Sequence, residues 1–163
     1  MPGFTMIMIQ DSPEFTFCET VISRLRENEH LCPLVLEQPY DRDDQTQKLA
    51  LADRQYDGAV AVMPAGLGMD WQGADTARVC IWTARVAVLI MVTAKTEEES
   101  GLRRSSALLA EVIRTLSDWD PDAGDGLIME PWFVGTADLM AEDVADLENI
   151  VGRVVFLSRR MRV

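Results

Sequence analysis

The sequence predicts a single α+β domain, residues 1–163, with two main helices packed on one face of a mixed or mainly antiparallel β-sheet. The chain has 163 residues, the length of one ordinary domain. It is 48% hydrophobic, which is enough to bury a core. Stretches with strand character form runs between two amphipathic helical patterns, an order typical of α+β folds.

The first helix is predicted from Ser12 to about Asn28. Ser12 is a suitable N-cap, and Pro13 fits the first helical turn because its missing N–H has no partner there in any case. Apolar residues then recur at helical spacing, which indicates a helix with one buried side. They are Cys18, Val21, Ile22 and Leu25.

The next segments are expected to alternate between short strands and polar connections. Residues 34–36 form a first strand, and residues 58–63 a second one that ends at Pro64. The polar stretch 41–55 between them is either a weak helix or a surface loop. Three glycines around Trp71 predict a long loop over residues 65–74.

Trp71 is a candidate contact residue because it lies in the middle of this glycine-rich stretch. Aromatic side chains are enriched at protein interfaces. The alternative is that Trp71 folds back on its own sheet.

Residues 76–94 give the strongest strand signal, since they are rich in Val, Ile and Thr. Their length predicts either one bent strand or two strands broken near Thr83 and Ala84. Arg78 and Arg85 lie inside the segment, so we expect at least one face to meet water or a partner.

The second main helix begins after Gly101 and ends at Pro121. Residues 127–134 then predict a strand, in which Pro131 indicates an edge position or a bulge. Residues 141–147 are either a short helix or a polar connection. The helix carries an apolar stripe at helical spacing. Its members are Leu108, Leu109, Val112, Ile113, Leu116 and Trp119.

Residues 150–163 alternate in the manner of a strand, with arginines on both faces near the end. This pattern predicts a partly exposed strand. Arg153, Arg159 and Arg160 are therefore candidate contact residues, and we expect that reversing Arg159 and Arg160 to Glu blocks self-association without unfolding the chain.

The charge is distributed unevenly along the chain. The formal net charge is −12. Residues 120–152 hold nine acids and no Lys or Arg, whereas the last eleven residues hold four arginines and no acid. Opposite patches of this kind suit pairing between copies, with Asp143 and Asp146 as candidate partners of the arginines. The alternative is two solvated surfaces that only keep the protein soluble.

No catalytic or metal motif stands out, so we expect no enzyme activity and no cofactor. His30 is the one histidine, and with Cys32 it makes an isolated His-x-Cys pair that lacks a second pair of ligands. The acids from Asp118 to Asp125 do not form a calcium loop, because Ala123 stands where Gly is required. A hydrolase or metal-dependent enzyme that uses Asp120, Asp122 and His30 stays an alternative.

Cysteine usage and the N-terminal residues favour a cytoplasmic protein. The three cysteines are widely spaced, which fits buried thiols in a reducing compartment. The first ten residues lack a signal-peptide pattern, and the longest apolar run, residues 86–92, is too short to span a membrane. We therefore expect no membrane association.

The second helix and the C-terminal strands resemble the tail-terminator family of long-tailed bacteriophages, including Mu-like and lambda-like phages. The resemblance covers the spaced Leu108, Leu109, Val112, Leu116, Trp119 and Pro121, the glycine-containing turn after them, and a long alternating C-terminal strand. The order of elements fits along most of the chain, with residues 64–75 and 138–148 as variable regions.

The resemblance implies a structural virion protein at the tail–head junction, assembled in the bacterial cytoplasm. Copies would form a ring, usually of six, that caps the tail tube. The implied partners are the tube protein and neck or connector proteins, and genomic DNA would pass through the lumen without specific binding. A head–tail connector and a small non-phage protein-binding module are the alternatives.

Overall fold

The computed structural model describes residues 12–41, 43–54, 58–73, 78–93, 101–117, 119, 129–135 and 150–162. In chain order the elements are helices α1 (Pro13–Arg26) and α2 (Gln45–Arg54), strands β1 (Ala59–Gln72) and β2 (Val79–Thr93), helix α3 (Gly101–Ser117), and strands β3 (Met129–Gly135) and β4 (Ile150–Arg162). The predicted α+β class is confirmed. The helix or connection expected over residues 141–147 lies outside the described residues.

Helix α1 forms where its capping signals place it. Ser12 is the N-cap and accepts a hydrogen bond from the Phe15 N–H through its side chain, and Pro13 occupies the first turn. The end of α1 is tied to α3 by polar contacts. The Asn28 amide donates to Glu111 Oε1 at 2.8 Å, and Arg24 Nε donates to the Thr115 carbonyl at 3.0 Å.

The four strands form one antiparallel sheet in the order β1-β2-β4-β3. Within the segment 76–94, Val79–Thr93 forms one continuous strand, β2, which is not broken at Thr83 and Ala84. Residues 34–36 do not form a full strand: Val35 makes a single parallel bridge to Val60. The polar stretch 41–55 contains a helix, α2.

Strand β1 runs nine residues beyond the end predicted for it at Met63. Pro64 does not end the strand, because the outer side of an edge strand needs no N–H donor at that position. A register shift between Pro64 and Gly66 absorbs the irregularity, and Gly66 adopts a φ of 135° there. The long loop predicted over residues 65–74 is therefore wrong for residues 65–72.

Apolar side chains cover both faces of the sheet. On one face, α1 and α3 contribute Phe17, Leu25, Val112 and Leu116 to a cluster with alternate strand residues such as Val62. On the opposite face, Leu51 of α2 and Tyr40 join a second cluster with Ala61 and Leu89. Because the strands are buried on two sides at this end, they are apolar at consecutive positions.

Candidate assembly surface

The far half of the β1–β2 hairpin extends beyond these clusters, apart from Ala84, which belongs to the first one. We call this half the hairpin arm and define it as residues 66–72 of β1 with residues 79–85 of β2. Leu67, Met69 and Trp71 are 38%, 57% and 58% exposed. They alternate along β1, so their side chains lie on the same face of the sheet. That face is the one that α1 and α3 cover further along.

In β1, polar and glycine residues occupy the other face of the arm, whereas β2 adds the apolar Ile81 and Val79 to that face. Gly66, Gly68 and Asp70 alternate with the apolar residues. A methyl group added at Gly66 would meet no atom within 4 Å, so this face of β1 is open. Arg85 of β2, which pairs with Gly66, is exposed on the same face.

Residues 34–40 cover the outer edge of β1 along its first half. The N–H and C=O groups of Val60 bond to residues 34 and 36, and the Val62 carbonyl accepts from the Tyr40 N–H at 2.7 Å. Beyond the bulge, the Gly66 N–H donates to Glu14 Oε2 at 3.1 Å. This contact anchors the base of the arm to the start of α1.

The remaining edge of the arm has no covering segment among the described residues. Strand β2 pairs with β4 without a register shift, so its residues point alternately to β4 and to β1. This alternation directs the N–H and C=O groups of Leu67, Met69 and Trp71 away from β2. No hydrogen bond from these groups to another described residue is present.

The arginines proposed from the sequence have different environments. Arg159 is only 9% exposed, and its guanidinium lies 5.7 Å from the centre of the Phe17 ring. Arg153 is half-buried and its Nε donates to Ser105 Oγ at 3.5 Å. The expectation that Arg159 lies on the surface is wrong, since its face of β4 is buried under α1.

Three other arginines are exposed around the arm. Arg78 precedes β2, Arg85 lies within it, and Arg160 follows Arg159 on the opposite face of β4. Arg160 pairs with Thr83, which places it close to Arg85 on one face of the sheet. Asp143 and Asp146, the acids predicted to meet such arginines, lie outside the described residues.

Trp71 is exposed in the arm, as the contact interpretation requires, although it lies on a strand and not at the tip of a loop. Sequence reasoning missed Leu67 and Met69 as its neighbours. The alternation of these three apolar residues with polar or glycine residues was a strand signal. The three glycines of the segment favoured a loop prediction instead.

The groups that suggested chemistry are scattered in the described part of the chain. His30 lies in the turn after α1 and its imidazole is 3.8 Å from Glu29. Burial, with smaller effects from Glu14 and Glu19, raises the pKa of the Cys18 thiol to about 12, so this thiol stays protonated at neutral pH. Within these ranges no three His, Cys, Asp or Glu residues are grouped to hold a metal ion.

An open groove of about 560 Å³ lies next to the turn after α1. It is lined by Arg26, Glu27, Glu29, Cys32, Pro33 and Glu37. Its carboxylates point into solvent or pair with arginine, as Glu37 does with Arg26 at 3.6 Å. The groove therefore has the character of a solvated surface.

Comparisons with known proteins do not add a family to this description. No protein-family model matches the chain, and no curated protein matches its sequence. In the described ranges no helix is both long and apolar enough to cross a bilayer.

Proposed function

We propose that the chain is a structural assembly subunit of the tail-terminator kind. Copies form a ring, of six by the resemblance, that caps the head-proximal end of a phage tail tube and joins it to the head. The resemblance in the second helix and the C-terminal strand suggests this function. The hairpin arm is the structural observation that supports it.

The arm supports an assembly role because it exposes large apolar side chains that no other described residue covers. Leu67, Met69 and Trp71 form one contiguous stripe beside an uncovered strand edge. Contiguous apolar surface of this kind marks interaction sites. An uncovered strand edge favours contact with another polypeptide for the same reason.

The charge of the chain fits a ring through which DNA passes. With a net charge of −12, the protein repels phosphate overall, whereas nucleic-acid binding needs a Lys/Arg-rich surface. The exposed Arg85 and Arg160 give one end of the sheet the opposite sign. Unlike ends attract each other when copies meet head to tail.

The test is the assembly state over a concentration series, measured by light scattering after gel filtration and by electron microscopy. We expect rings of the 18.2 kDa chain at high concentration. Trp71→Ser should weaken ring formation at least tenfold, because exposed Trp residues dominate interface energies. Gln72→Ser is the matched control, since Gln72 is exposed on the next position of the same strand.

Rings that form equally well with Trp71→Ser would remove the arm from the interface. A wild-type chain that stays monomeric at every concentration would contradict the proposal. If that monomer bound a host protein through Trp71, the protein-binding module would be the better interpretation. A head–tail connector also forms rings, and the neighbouring genes separate it from a tail terminator.

A further inference from the structure

The arm contains a stretch of sheet edge that no described residue covers. Edge strands are normally covered, kinked, or interrupted by Pro or an inward charge. The first half of β1 is covered by residues 34–40. The opposite edge strand, β3, carries Pro131 and a register shift between Phe133 and Gly135. Among the described residues, residues 67–71 of β1 form an edge that is not covered and that contains no Pro and no register shift; Asp70 is its one charged residue.

We infer that two copies of this chain pair antiparallel through residues 67–71, around a two-fold axis at Met69. A second copy is the occupant that fits, because its own residues 67–71 are an equally unprotected strand edge. The contact is isologous, with the same surface used on both sides. The inference does not rest on the proposed ring, since a two-fold pair forms with or without one.

The directions of the backbone groups fix the register. The outward N–H and C=O groups belong to Leu67, Met69 and Trp71, so these residues must face one another as hydrogen-bonded pairs. Only the register centred on Met69 uses all of them. Met69 then faces Met69 of the second copy, and Leu67 faces Trp71 of the second copy.

This register also brings the apolar side chains of the two copies together on one face. The apolar stripes of the two copies become neighbours on one face and cover each other. On the other face, Asp70 lies opposite Gly68 of the second copy, and the two Asp70 residues are diagonal neighbours about 8 Å apart between Cβ atoms. From strand spacing and rise, Arg85 lies about 12 Å from Asp70 of the second copy between Cβ atoms, against about 14 Å from its own Asp70.

A two-fold pair cannot be part of a ring whose two sides differ, because all copies in such a ring point the same way. The pair is therefore the form of the protein outside the ring. The pair covers the apolar stripe and the open edge of each copy. It must dissociate before a copy can join the ring. Locking the pair should accordingly prevent ring formation.

Cysteine cross-linking tests the register directly. A hydrogen-bonded antiparallel pair has its Cα atoms about 5.5 Å apart, which is within the range for a disulfide. Met69→Cys should therefore form a disulfide-linked dimer on a non-reducing gel. Leu67→Cys is the matched control, because the two copies of Leu67 lie four residues apart along the paired strands, about 14 Å. It should give no more cross-linked dimer than the wild type, which has the same three native cysteines.

A second pair of variants tests the edge itself by sedimentation equilibrium. Met69→Pro removes an outward N–H that β2 does not use, and should raise the dimer dissociation constant at least tenfold. Met69→Thr keeps the N–H and should raise it less. Thermal unfolding of both variants checks that they fold; if Met69→Pro does not fold, the cross-linking result decides.

Equal cross-linking of Met69→Cys and Leu67→Cys, or none with either, would overturn the two-fold pair. So would an unchanged dimer in folded Met69→Pro. Rings formed by wild-type protein in the same experiments would leave the proposed function standing. Oxidised Met69→Cys that stays dimeric, and forms rings only after reduction, would support both the pair and its exclusion from the ring.

Discussion

Arg159 and Arg160 show how two adjacent residues of one strand meet different environments. Arg159 points towards α1 and lies against the Phe17 ring, whereas Arg160 is exposed on the other face. The stem of an arginine packs well on apolar surface, and its guanidinium is attracted to an aromatic face. Arg159 is therefore part of the interior of the fold and does not form a surface contact.

Reversing the charge at these two positions should have very different consequences for stability. Arg159→Glu places a carboxylate in a site that is 9% exposed and lowers the free energy of unfolding by about 3 kcal/mol or more. Arg160→Glu should change it by less than about 0.5 kcal/mol. Urea denaturation of the two single variants measures both values.

Equal stability of the two variants would show that Arg159 is not buried in solution. The sequence suggested the double variant Arg159→Glu, Arg160→Glu as a test of self-association. Arg160→Glu alone is the better test, because Arg159→Glu destabilises the fold itself. The alternation of β4 correctly placed Arg159 on the same face as Val155 and Leu157. The burial of this face depends on tertiary packing against α1, including the contact of Arg159 with Phe17, which the strand pattern does not contain.

At the level of elements, β1 depends on two glycines with different roles. Gly66 has a φ of 135°, which L side chains rarely adopt, and it sits at the register shift. Gly68 lies in regular strand, and an added methyl group there would contact Thr83 at an ordinary 3.8 Å. The backbone conformation therefore requires glycine at position 66 and not at position 68.

Alanine substitution should separate these two glycines. Gly66→Ala strains the backbone and lowers the free energy of unfolding by roughly 1–3 kcal/mol, although the added methyl group has space. Gly68→Ala should be neutral or slightly stabilising, because alanine restricts the unfolded chain. Thermal unfolding monitored by circular dichroism compares them, and equal loss in both variants would contradict the assigned role of Gly66.

Helices were easier to predict than strands because their ends carry local signals. Ser12 and Pro13 define the start of α1, and the apolar stripe from Leu108 to Leu116 defines the buried side of α3. The continuation of β1 past Pro64 depends on that residue lying on an outer edge. Edge position is a property of the strand order, and no local pattern contains it.

At the level of the whole molecule, apolar clusters on both faces stabilise the sheet. The second cluster is centred on Leu51 of α2, which is 1% exposed, and on small residues such as Ala59 and Ala61. From the sequence, residues 41–55 were either a weak helix or a surface loop. The segment is mostly polar, so the burial of Leu51 could not be recognised from its pattern. The second layer was therefore not predicted.

Two leucines of α2 offer a matched test of this layer. Leu51→Ala should lower the free energy of unfolding by about 2–4 kcal/mol, because the side chain is fully buried. Leu49→Ala should cost less than about 0.5 kcal/mol, since Leu49 is exposed on the same helix. Chemical denaturation of both variants measures the difference, and equal values would mean that α2 does not pack on the sheet.

The position of β4 between β2 and β3 has a consequence for synthesis on the ribosome. Strands β1 and β2 are translated early and can form their hairpin. The edge of β2 that pairs with β4 stays unpaired until residues 150–162 are translated, the last of the described elements. Pairing between strands so far apart in sequence makes folding slow. The unpaired edge of β2 includes residues 86–92, which are all apolar. Nascent chains of this protein should therefore need protection by chaperones until β4 is translated.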